Sequence, residues 1–278
     1  MTWWAIDVHA PADQRELLGA WLVTRTGQAV EERDDGTLVA FAPDQDAAEA
    51  LIRELERTGD APVETQSHPV EAADWSTGWR EGLGSRQLGS LTIVPSWLPE
   101  ASDPDPLTIV LDPETAFGSG EHGSTRAALT LLGRFLRPGD RVLDLGSGSG
   151  ILTIAAIKLG ASRAMGIEID SEANEVAQRN SVRNGVAGSI EFLEGDAAVL
   201  APLVAPVDLV LSNILRTVNT ALLPVIAAAL APGGIAIFSG MEQPEAQEFR
   251  AALSKAGFNP VQDTLDSGWW GVAAEQPA

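Results

Sequence analysis

Three polar side chains that could bind a ligand each follow an apolar run of this sequence. Glu168 stands in Gly-Ile-Glu-Ile-Asp, Asp196 in Glu-Gly-Asp and Asn213 in Ser-Asn-Ile-Leu. A carboxylate at Glu168 can accept hydrogen bonds from both hydroxyls of a ribose. An amide at Asn213 offers an acceptor to an attacking amine without adding a full charge. These residue types predict a site for a nucleoside and an amine.

Two carboxylates in these segments also fit a purely structural role. Asp196 is placed to meet an adenine amino group, but aspartate is also a common helix N-cap. Asp170, two residues after Glu168, lies on the same side of the strand and could cap the next helix. The sequence leaves both alternatives open for these two residues.

A glycine-rich turn follows an earlier apolar run, and residues 142–150 read Val-Leu-Asp-Leu-Gly-Ser-Gly-Ser-Gly. A tight turn can need glycine for structure alone. Alternating glycines also let the backbone approach a ligand, and the next helix offers free N–H groups. Nicotinamide and flavin folds use Gly-x-Gly-x-x-Gly, but here Gly150 comes one residue early and Ile151 takes the later position. This spacing favours S-adenosylmethionine over a dinucleotide, with Gly146 and Gly148 at the ligand.

An alternation of strands and helices positions these residues. The predicted strands cover residues 141–145, 164–169, 190–193, 208–212 and 235–239, followed by a hairpin of 261–265 with 269–273. The predicted helices cover residues 151–159, 172–184, 221–230 and 245–256. This order predicts an α/β fold with a doubly wound, mostly parallel sheet. Ligands bind at the carboxyl ends of such strands, where the glycine turn and the three polar residues fall.

The N-terminal part of the chain has a different pattern. Strands are predicted at residues 3–8, 29–32, 37–42 and 62–66, with helices at 13–23 and 46–57. The order β-α-β-β-α-β predicts a small ferredoxin-like α+β domain. We therefore expect an N-terminal domain at residues 1–69, a linker helix at 70–84 and a larger domain at 85–278. Trp75 and Trp79 would share one face of the linker helix, for interdomain packing or substrate contact.

The composition narrows the class of protein and partner. Among 278 residues, 39 Asp and Glu stand against 18 Lys and Arg, a net charge of −21. The sequence has no dense basic cluster, so nucleic acid is not the expected partner, whereas a basic protein would be attracted. The alternative is that the acidity serves only solubility. The chain has no cysteine, which excludes thiol catalysis and thiolate metal sites, and no metal site is predicted. It shows no signal peptide or membrane-length apolar run, so a soluble cytoplasmic protein is expected.

A second glycine-rich run lies upstream of the first sheet strand. Residues 116–125 read Ala-Phe-Gly-Ser-Gly-Glu-His-Gly-Ser-Thr. Its glycines would let it fold over a ligand as a lid. Ser124 or Thr125 would then cap a helix running through Leu131. His122 could be catalytic, or it could be a loop histidine bonded to the backbone.

This run resembles the Phe-Gly-Thr-Gly-x-His-x-Thr-Thr motif of the PrmA family, bacterial enzymes that methylate ribosomal protein eleven of the large subunit. The segments around Gly146, Glu168 and Asn213, the Asp-Trp-x-x-x-Trp linker and Ser239-Gly240 are similar in order and spacing. The resemblance extends from the linker to Trp270. The first domain is similar in size and predicted topology only.

The resemblance implies a class I S-adenosylmethionine-dependent methyltransferase whose N-terminal domain recognises the substrate. It also implies that four residues hold the cofactor, namely Thr125, Gly146, Glu168 and Asn213. Glu168 replaces the usual aspartate of the family, and Ser119 and Ser124 replace threonines. Glu121 occupies a variable position. These departures leave room for a different protein substrate.

The expected reaction is methyl transfer to amino groups of ribosomal protein eleven, either lysine side chains or the N-terminus. Asn213 and His122 are the candidate catalytic residues, and Asp196 and Gly148 complete the expected cofactor site. Two alternatives remain open at this stage. The substrate could be a lysine of a different basic protein, or the chain could bind S-adenosylmethionine without turnover. The sequence does not indicate an oligomeric state.

Overall fold

The computed structural model describes residues 3–9, 11, 15–26, 30–33, 36–58, 63–70, 83–114 and 116–276. The chain divides into two compact units, Met1–Glu81 and Gly82–Ala278. Trp75 and Trp79 of the predicted linker helix lie outside the described residues. Within the described part of the chain, no helix is both long and apolar enough to cross a membrane.

The first unit has the α+β order that the sequence predicts. Its elements are β1 Trp3–His9, α1 Arg15–Thr26, β2 Glu31–Glu32, β3 Thr37–Ala42, α2 Gln45–Thr58 and β4 Glu64–Val70. The strands form an antiparallel sheet in the order β2-β3-β1-β4. In α2, buried Ala48, Leu51 and Leu55 recur at intervals of three and four residues, so one face of the helix covers the sheet. The predicted ferredoxin-like domain is confirmed.

The second unit begins with a small three-stranded sheet, which the sequence does not predict. Its strands are β5 Arg86–Leu88, β6 Leu91–Val94 and β7 Thr108–Val110. The elements that follow are α3 Gly123–Phe135, β8 Arg141–Leu145, α4 Ile151–Lys158, β9 Arg163–Glu168, α5 Ser171–Arg183, β10 Ile190–Glu194, α6 Ala197–Val204, β11 Val207–Asn213, α7 Arg216–Ala229, β12 Leu230–Glu242, α8 Ala246–Lys255, β13 Asn259–Asp266 and β14 Trp269–Glu275.

The large sheet has the strand order β10-β9-β8-β11-β12-β14-β13. Neighbouring strands from β10 to β12 are parallel, whereas β14 is antiparallel to both β12 and β13. The predicted doubly wound, mostly parallel sheet is confirmed. The order reverses between β8 and β11, so a crevice is expected at the carboxyl ends of these two strands.

Alternate residues of the central strands enter two separate hydrophobic cores. Leu209 and Leu211 of β11 pack into the core on one face of the sheet, and Val210 packs into the core on the other. Leu143 and Leu145 of β8 join the core of Val210. Side chains of a strand point alternately to opposite faces. Burial on both faces therefore fixes the register of the strands that carry the crevice.

Helix α5 is joined to the small sheet by two asparagines one turn apart. The Asn184 side chain accepts from Val110 N at 2.9 Å and donates to Val110 O at 2.7 Å. The Asn180 side chain accepts from Asp112 N at 3.2 Å and donates to Asp112 O at 3.0 Å. The two amides thus bond to the outer edge of β7 and to Asp112, two residues beyond its end. They occupy the backbone groups that a neighbouring strand would otherwise pair with.

Helix α1 covers Arg15–Thr26 rather than the predicted 13–23, and two helices near the large sheet also differ from their predicted bounds. Helix α3 begins at Gly123 with His122 at the N-cap position and continues to Phe135. Ser124 and Thr125 therefore lie inside its first turn, and the predicted capping role for either residue is wrong. Helix α7 begins at Arg216 and contains an internal proline. The predicted start at residue 221 is wrong because the more polar first turn is held by tertiary contacts.

Candidate active site

A cavity of about 560 Å³ lies in the large unit at the carboxyl ends of β8, β9 and β11. Six residues that the sequence selects line this cavity: His122, Gly146, Gly148, Glu168, Asp196 and Asn213. Most of the remaining wall is apolar and includes Phe117, Ile167, Ile169, Ile214, Leu215, Val218, Leu222 and Trp269. The structure therefore brings the predicted residues together at the switch point of the sheet.

The glycine loop (residues 146–150) has a conformation and surroundings that exclude side chains. Gly146, Gly148 and Gly150 have φ angles of 74°, 51° and 81°, in the left-handed region. A Cβ atom on Gly148 would lie 2.6 Å from the Phe117 carbonyl oxygen. One on Gly146 would lie 2.6 Å from Cγ2 of Ile214. These glycines let the loop pack against both neighbouring segments while its backbone faces the cavity.

Glu168, at the end of β9, holds the glycine loop in place. Its Oε2 atom accepts from Gly148 N at 2.9 Å. Its Oε1 atom accepts from Ile169 N at 2.9 Å and Asp170 N at 3.1 Å. A carboxylate has about four acceptor sites, so capacity remains for a ligand hydroxyl. The predicted contact with a ribose stays a prediction.

Asp170 and Asp196 both cap helices. Asp170 Oδ1 accepts from Glu172 N at 2.9 Å at the start of α5, and Asp196 Oδ1 accepts from Ala198 N at 2.8 Å at the start of α6. The capping alternative therefore holds for both residues. Asp196 also lines the cavity, so its contact with an adenine amino group stays a prediction.

Asn213 presents a buried amide to the cavity. Asn213 is 9% exposed, and its Nδ2 atom donates to Thr125 Oγ1 at 3.4 Å. Oδ1 is buried and has no hydrogen-bond partner among the described residues. A buried polar atom without a partner costs roughly 1–3 kcal/mol, so it marks a position that a ligand can satisfy. Thr125 is fully buried behind Asn213 and is not among the described residues that line the cavity.

Asn219 supports this part of the site, and the sequence analysis missed it. Its fully buried side chain accepts from Ser212 Oγ at 2.7 Å. It donates to Ile214 O at 2.9 Å and to Ser239 O at 3.0 Å. These bonds hold the side chain of Ser212 before Asn213 and the backbone of Ile214 after it. An asparagine between apolar helix positions is the signal that could have identified it.

His122 packs against aromatic rings at one side of the cavity. Its ring centroid lies 4.1 Å from that of Trp269 and 5.2 Å from that of Phe117. Its Nδ1 atom shares a hydrogen bond with Ser124 Oγ at 2.7 Å, so the partner is a side chain rather than the backbone. Burial, and then the positive charge of Arg126, lower the pKa of His122. The ring is therefore neutral near pH 7.

Asp144, two residues before the glycine loop, is a further buried acid that the sequence analysis passed over. Its Oδ2 atom accepts from Thr153 Oγ1 at 2.6 Å, and Oδ1 has no partner among the described residues. Burial raises its pKa to about 7. Within a strand, this residue reads as part of an apolar run. Its contacts become visible only when α4 is packed on the sheet.

The cavity suits S-adenosylmethionine in shape and chemistry. Gly146 and Gly148 present backbone without side chains to the cavity, and the rest of its wall is largely apolar. Asn213 Oδ1 is buried without a partner in the described structure and lines the cavity, so it can meet a polar group of a ligand. No cluster of three or more potential metal ligands occurs among the described residues.

Together, the sheet order, the glycine loop and the acidic residue on the neighbouring strand define a class I methyltransferase that uses S-adenosylmethionine. The chain belongs to the family described as "Ribosomal protein L11 methyltransferase (PrmA)", which matches residues 7–277. The fold, reaction class and cofactor that the sequence predicts are thereby confirmed.

Individual relatives give the same result. The chain is 36% identical to the ribosomal protein L11 methyltransferase of Pelotomaculum thermopropionicum over 88% of this chain and 80% of that protein. It is 33% identical to the Geobacter metallireducens enzyme of the same name over 96% of each chain. A crystal structure of the ribosomal protein L11 methylase from Lactobacillus delbrueckii subsp. bulgaricus is similar with a TM-score of 0.63 and 31% identity. It covers 70% of this chain and 100% of that one.

Proposed function

We propose that this chain transfers methyl groups from S-adenosylmethionine to amino groups of ribosomal protein L11, either lysine side chains or the N-terminus. The observation that carries the proposal is the unpartnered Oδ1 of Asn213 at the cavity, because it can accept from the N–H of an amine. The relatives described above are named for L11. A net charge of −21 would also attract a basic ribosomal protein. The reaction would take place in the cytoplasm, where ribosomal proteins are made.

The residues that would hold the cofactor are those predicted from the sequence. Backbone atoms of Gly146 and Gly148 would hold the amino-acid part, Glu168 the ribose hydroxyls and Asp196 the adenine amino group. Thr125 would act through its contact with the amide of Asn213. When bound, S-adenosylmethionine supplies a methyl group already activated by a sulfonium.

The amine side of the cavity must deliver a neutral nucleophile. A free lysine amine has a pKa near ~10.4. Apolar walls such as Ile214 and Leu215 disfavour the charged form and so lower that pKa. Asn213 Oδ1 accepts a hydrogen bond from the amine and so orients the nitrogen lone pair towards the methyl group. Positioning of this kind supplies most of the rate enhancement in the proposed reaction. The neutral ring of His122 offers a nitrogen that can take up the released proton.

The two units receive separate roles in this proposal. Residues 1–69 recognise the protein substrate, and residues 85–278 carry the catalytic site. Residues 70–84 link these two parts of the chain. The division of the chain at Glu81 and Gly82 supports a separate N-terminal unit. Substitutions on the surface of that unit should then lower methyl transfer to L11 while cofactor affinity stays the same.

Transfer of labelled methyl groups into purified L11 tests the proposal, with modified residues located by mass spectrometry. Asn213→Ala should lower kcat by roughly a hundredfold because the amine loses its acceptor. Asn174→Ala is the matched control, since Asn174 is also buried with an unpartnered Oδ1 but does not line the cavity. If another basic protein is labelled and L11 is not, the substrate assignment is wrong and the enzyme is a methyltransferase of that other protein. Cofactor binding without transfer to any protein would indicate a non-catalytic module.

A further inference from the structure

Two chain segments supply the aromatic wall of the cavity. The His122 loop (residues 116–122) contributes Phe117 and His122, and the Trp269 turn (residues 266–269) contributes Trp269. The loop is attached to the glycine loop, because Ser149 N donates to Phe117 O at 2.9 Å and Ser149 Oγ donates to Gly118 O at 2.6 Å. A different residue joins the loop to the turn.

Arg126, in the second turn of α3, bonds to both segments. Its Nη1 donates to the carbonyl oxygen of Glu121, the residue directly before His122. Its Nε donates to Asp266 Oδ2 at 3.0 Å, and its Nη2 donates to Asp266 Oδ1 and, at 3.0 Å, to Ser267 Oγ. One planar guanidinium therefore fixes the loop and the turn relative to each other.

The contact between these segments is close and locally constrained. A Cβ atom on Gly123 would lie 2.5 Å from Asp266 O and 2.8 Å from Cδ1 of Trp269. Ser267 has a φ of 49°, a left-handed conformation that residues other than glycine rarely adopt. Gly268 also has a positive φ, of 84°, as the two-residue hairpin turn between Asp266 and Trp269 requires, and Arg126 bonds to the Ser267 side chain of this turn. Because the two segments are this close and Arg126 bonds to both, we expect a change at Arg126 to shift both Trp269 and His122.

The charges in this region are balanced around Arg126. The hydrogen bonds and charge of Asp266 raise the pKa of Arg126, and those of Arg126 lower the pKa of Asp266. A second arginine, Arg86 of β5, forms an ion pair with the carboxylate of Glu121. The His122 loop is thus anchored on both its backbone and its side chain.

We propose that Arg126 is a positioning residue for methyl transfer, because it holds His122 and Trp269 together as the wall against which the substrate amine is placed. This inference rests on the proposed function. Arg126 makes none of the contacts described for Gly148 and Glu168. Loss of the guanidinium should therefore impair use of the protein substrate and leave cofactor binding intact.

Arg126→Gln and Arg126→Lys test the proposal in the full chain. Arg126→Gln should lower kcat/KM for L11 by at least about tenfold, and Arg126→Lys should recover only part of it because lysine lacks the fork geometry. Affinity for S-adenosylhomocysteine, measured by calorimetry, should stay within about twofold of wild type. Arg179→Gln is the matched control, because Arg179 bonds Glu114 at 2.8 Å and 3.4 Å and neither residue lines the cavity.

A second readout does not depend on activity. The chain has three histidines, so ring-proton NMR can follow His122 with His9 and His68 as references. Because the charge of Arg126 helps to lower the pKa of His122, Arg126→Gln should raise it. If wild type does not methylate L11, the proposed function fails, but this titration still tests the link between Arg126 and His122.

Asp266→Asn removes the same contact from the other side and remains informative if Arg126→Gln does not fold. In the double variant, the loss of kcat/KM should be no larger than in Arg126→Gln alone, since both changes break one interaction. Wild-type kcat and KM in Arg126→Gln or Asp266→Asn, or equal losses of cofactor binding and transfer, would overturn the positioning role.

Discussion

The carboxylate of Glu168 accepts a hydrogen bond at 2.9 Å from the backbone N–H of Gly148, across the gap between β9 and the loop after β8. The same residue lines the cavity. Glu168 therefore connects the shape of the glycine loop to the place where the cofactor ribose is expected. A change at this side chain should alter both loop geometry and ligand affinity.

Glu168→Ala should weaken binding of S-adenosylhomocysteine by at least about tenfold, because charge-assisted hydrogen bonds contribute about 1.5–3 kcal/mol each. Glu168→Asp should retain most of the affinity, since it keeps the carboxylate. Glu194→Ala is the matched control, because Glu194 pairs in register with Glu168 at the end of β10 and does not line the cavity. Calorimetry measures the affinity of the three variants for S-adenosylhomocysteine. Unchanged affinity in Glu168→Ala would contradict the assignment.

Asn219→Leu should lower both stability and turnover. The change leaves Ser212 Oγ, Ile214 O and Ser239 O without their partner, which should cost about 2–4 kcal/mol of unfolding free energy. Thr220→Val is the control on the same helix, since it removes only a bond to Arg216 O, and it should cost less than about 1 kcal/mol. Urea unfolding measures both. Equal costs would show that Asn219 is not a special support.

Asp144 should make stability fall as pH rises from about 4 to about 7. Its folded pKa is raised to about 7 by burial, so between the unfolded and folded pKa values the folded state holds the extra proton. The stability due to this proton is full below the unfolded pKa and is lost as pH rises through the folded pKa, at up to about 1.4 kcal/mol per pH unit.

Urea unfolding of wild type and Asp144→Asn between pH 4 and pH 8 measures this dependence as the difference between the two proteins. Thr153→Val gives a second comparison, because the hydrogen bond from Thr153 lowers the pKa of Asp144. Without that bond, the decline in stability should extend to higher pH. A difference that does not change with pH would rule out a protonated Asp144.

Asn180→Leu and Asn184→Leu should separate stability from ligand binding. Both changes remove a pair of bonds to the backbone at the edge of β7. Only Asn180 also donates to Ser149 O in the glycine loop, at 3.0 Å. Both variants should lose unfolding free energy, on the order of 1–3 kcal/mol, but only Asn180→Leu should bind S-adenosylhomocysteine more weakly. If calorimetry gives the two variants equal affinities for S-adenosylhomocysteine, Asn180 has no separate role in ligand binding.

The large sheet could be predicted because its signals are local. Val142, Leu143 and Leu145 form an apolar run that ends in glycines, and the apolar runs before Glu168 and Asn213 each end at a polar residue. Such runs, alternating with helices, specify a doubly wound sheet. Because parallel strands align their carboxyl ends at one edge, the approximate position of the site followed from the same signals.

The residues that the sequence could not reveal act across long separations. Arg126 bonds to Asp266, which is 140 positions away, and Asn180 bonds to Asp112, which is 68 away. No spacing rule connects such pairs before the fold exists. The small sheet was missed for the same reason, since β7 has three residues and is completed by side chains of α5.

Asn180 of α5 and Asn184, which caps the C-terminus of that helix, affect how the protein behaves in a concentrated solution. An uncovered edge strand presents free N–H and C=O groups that can recruit another chain into an extended sheet. Asn180 and Asn184 occupy these groups at Asp112 and Val110 with amides that belong to a helix, which cannot add further strands. The attachment that supports the glycine loop thus also covers, in the folded protein, an edge at which another chain could add a strand.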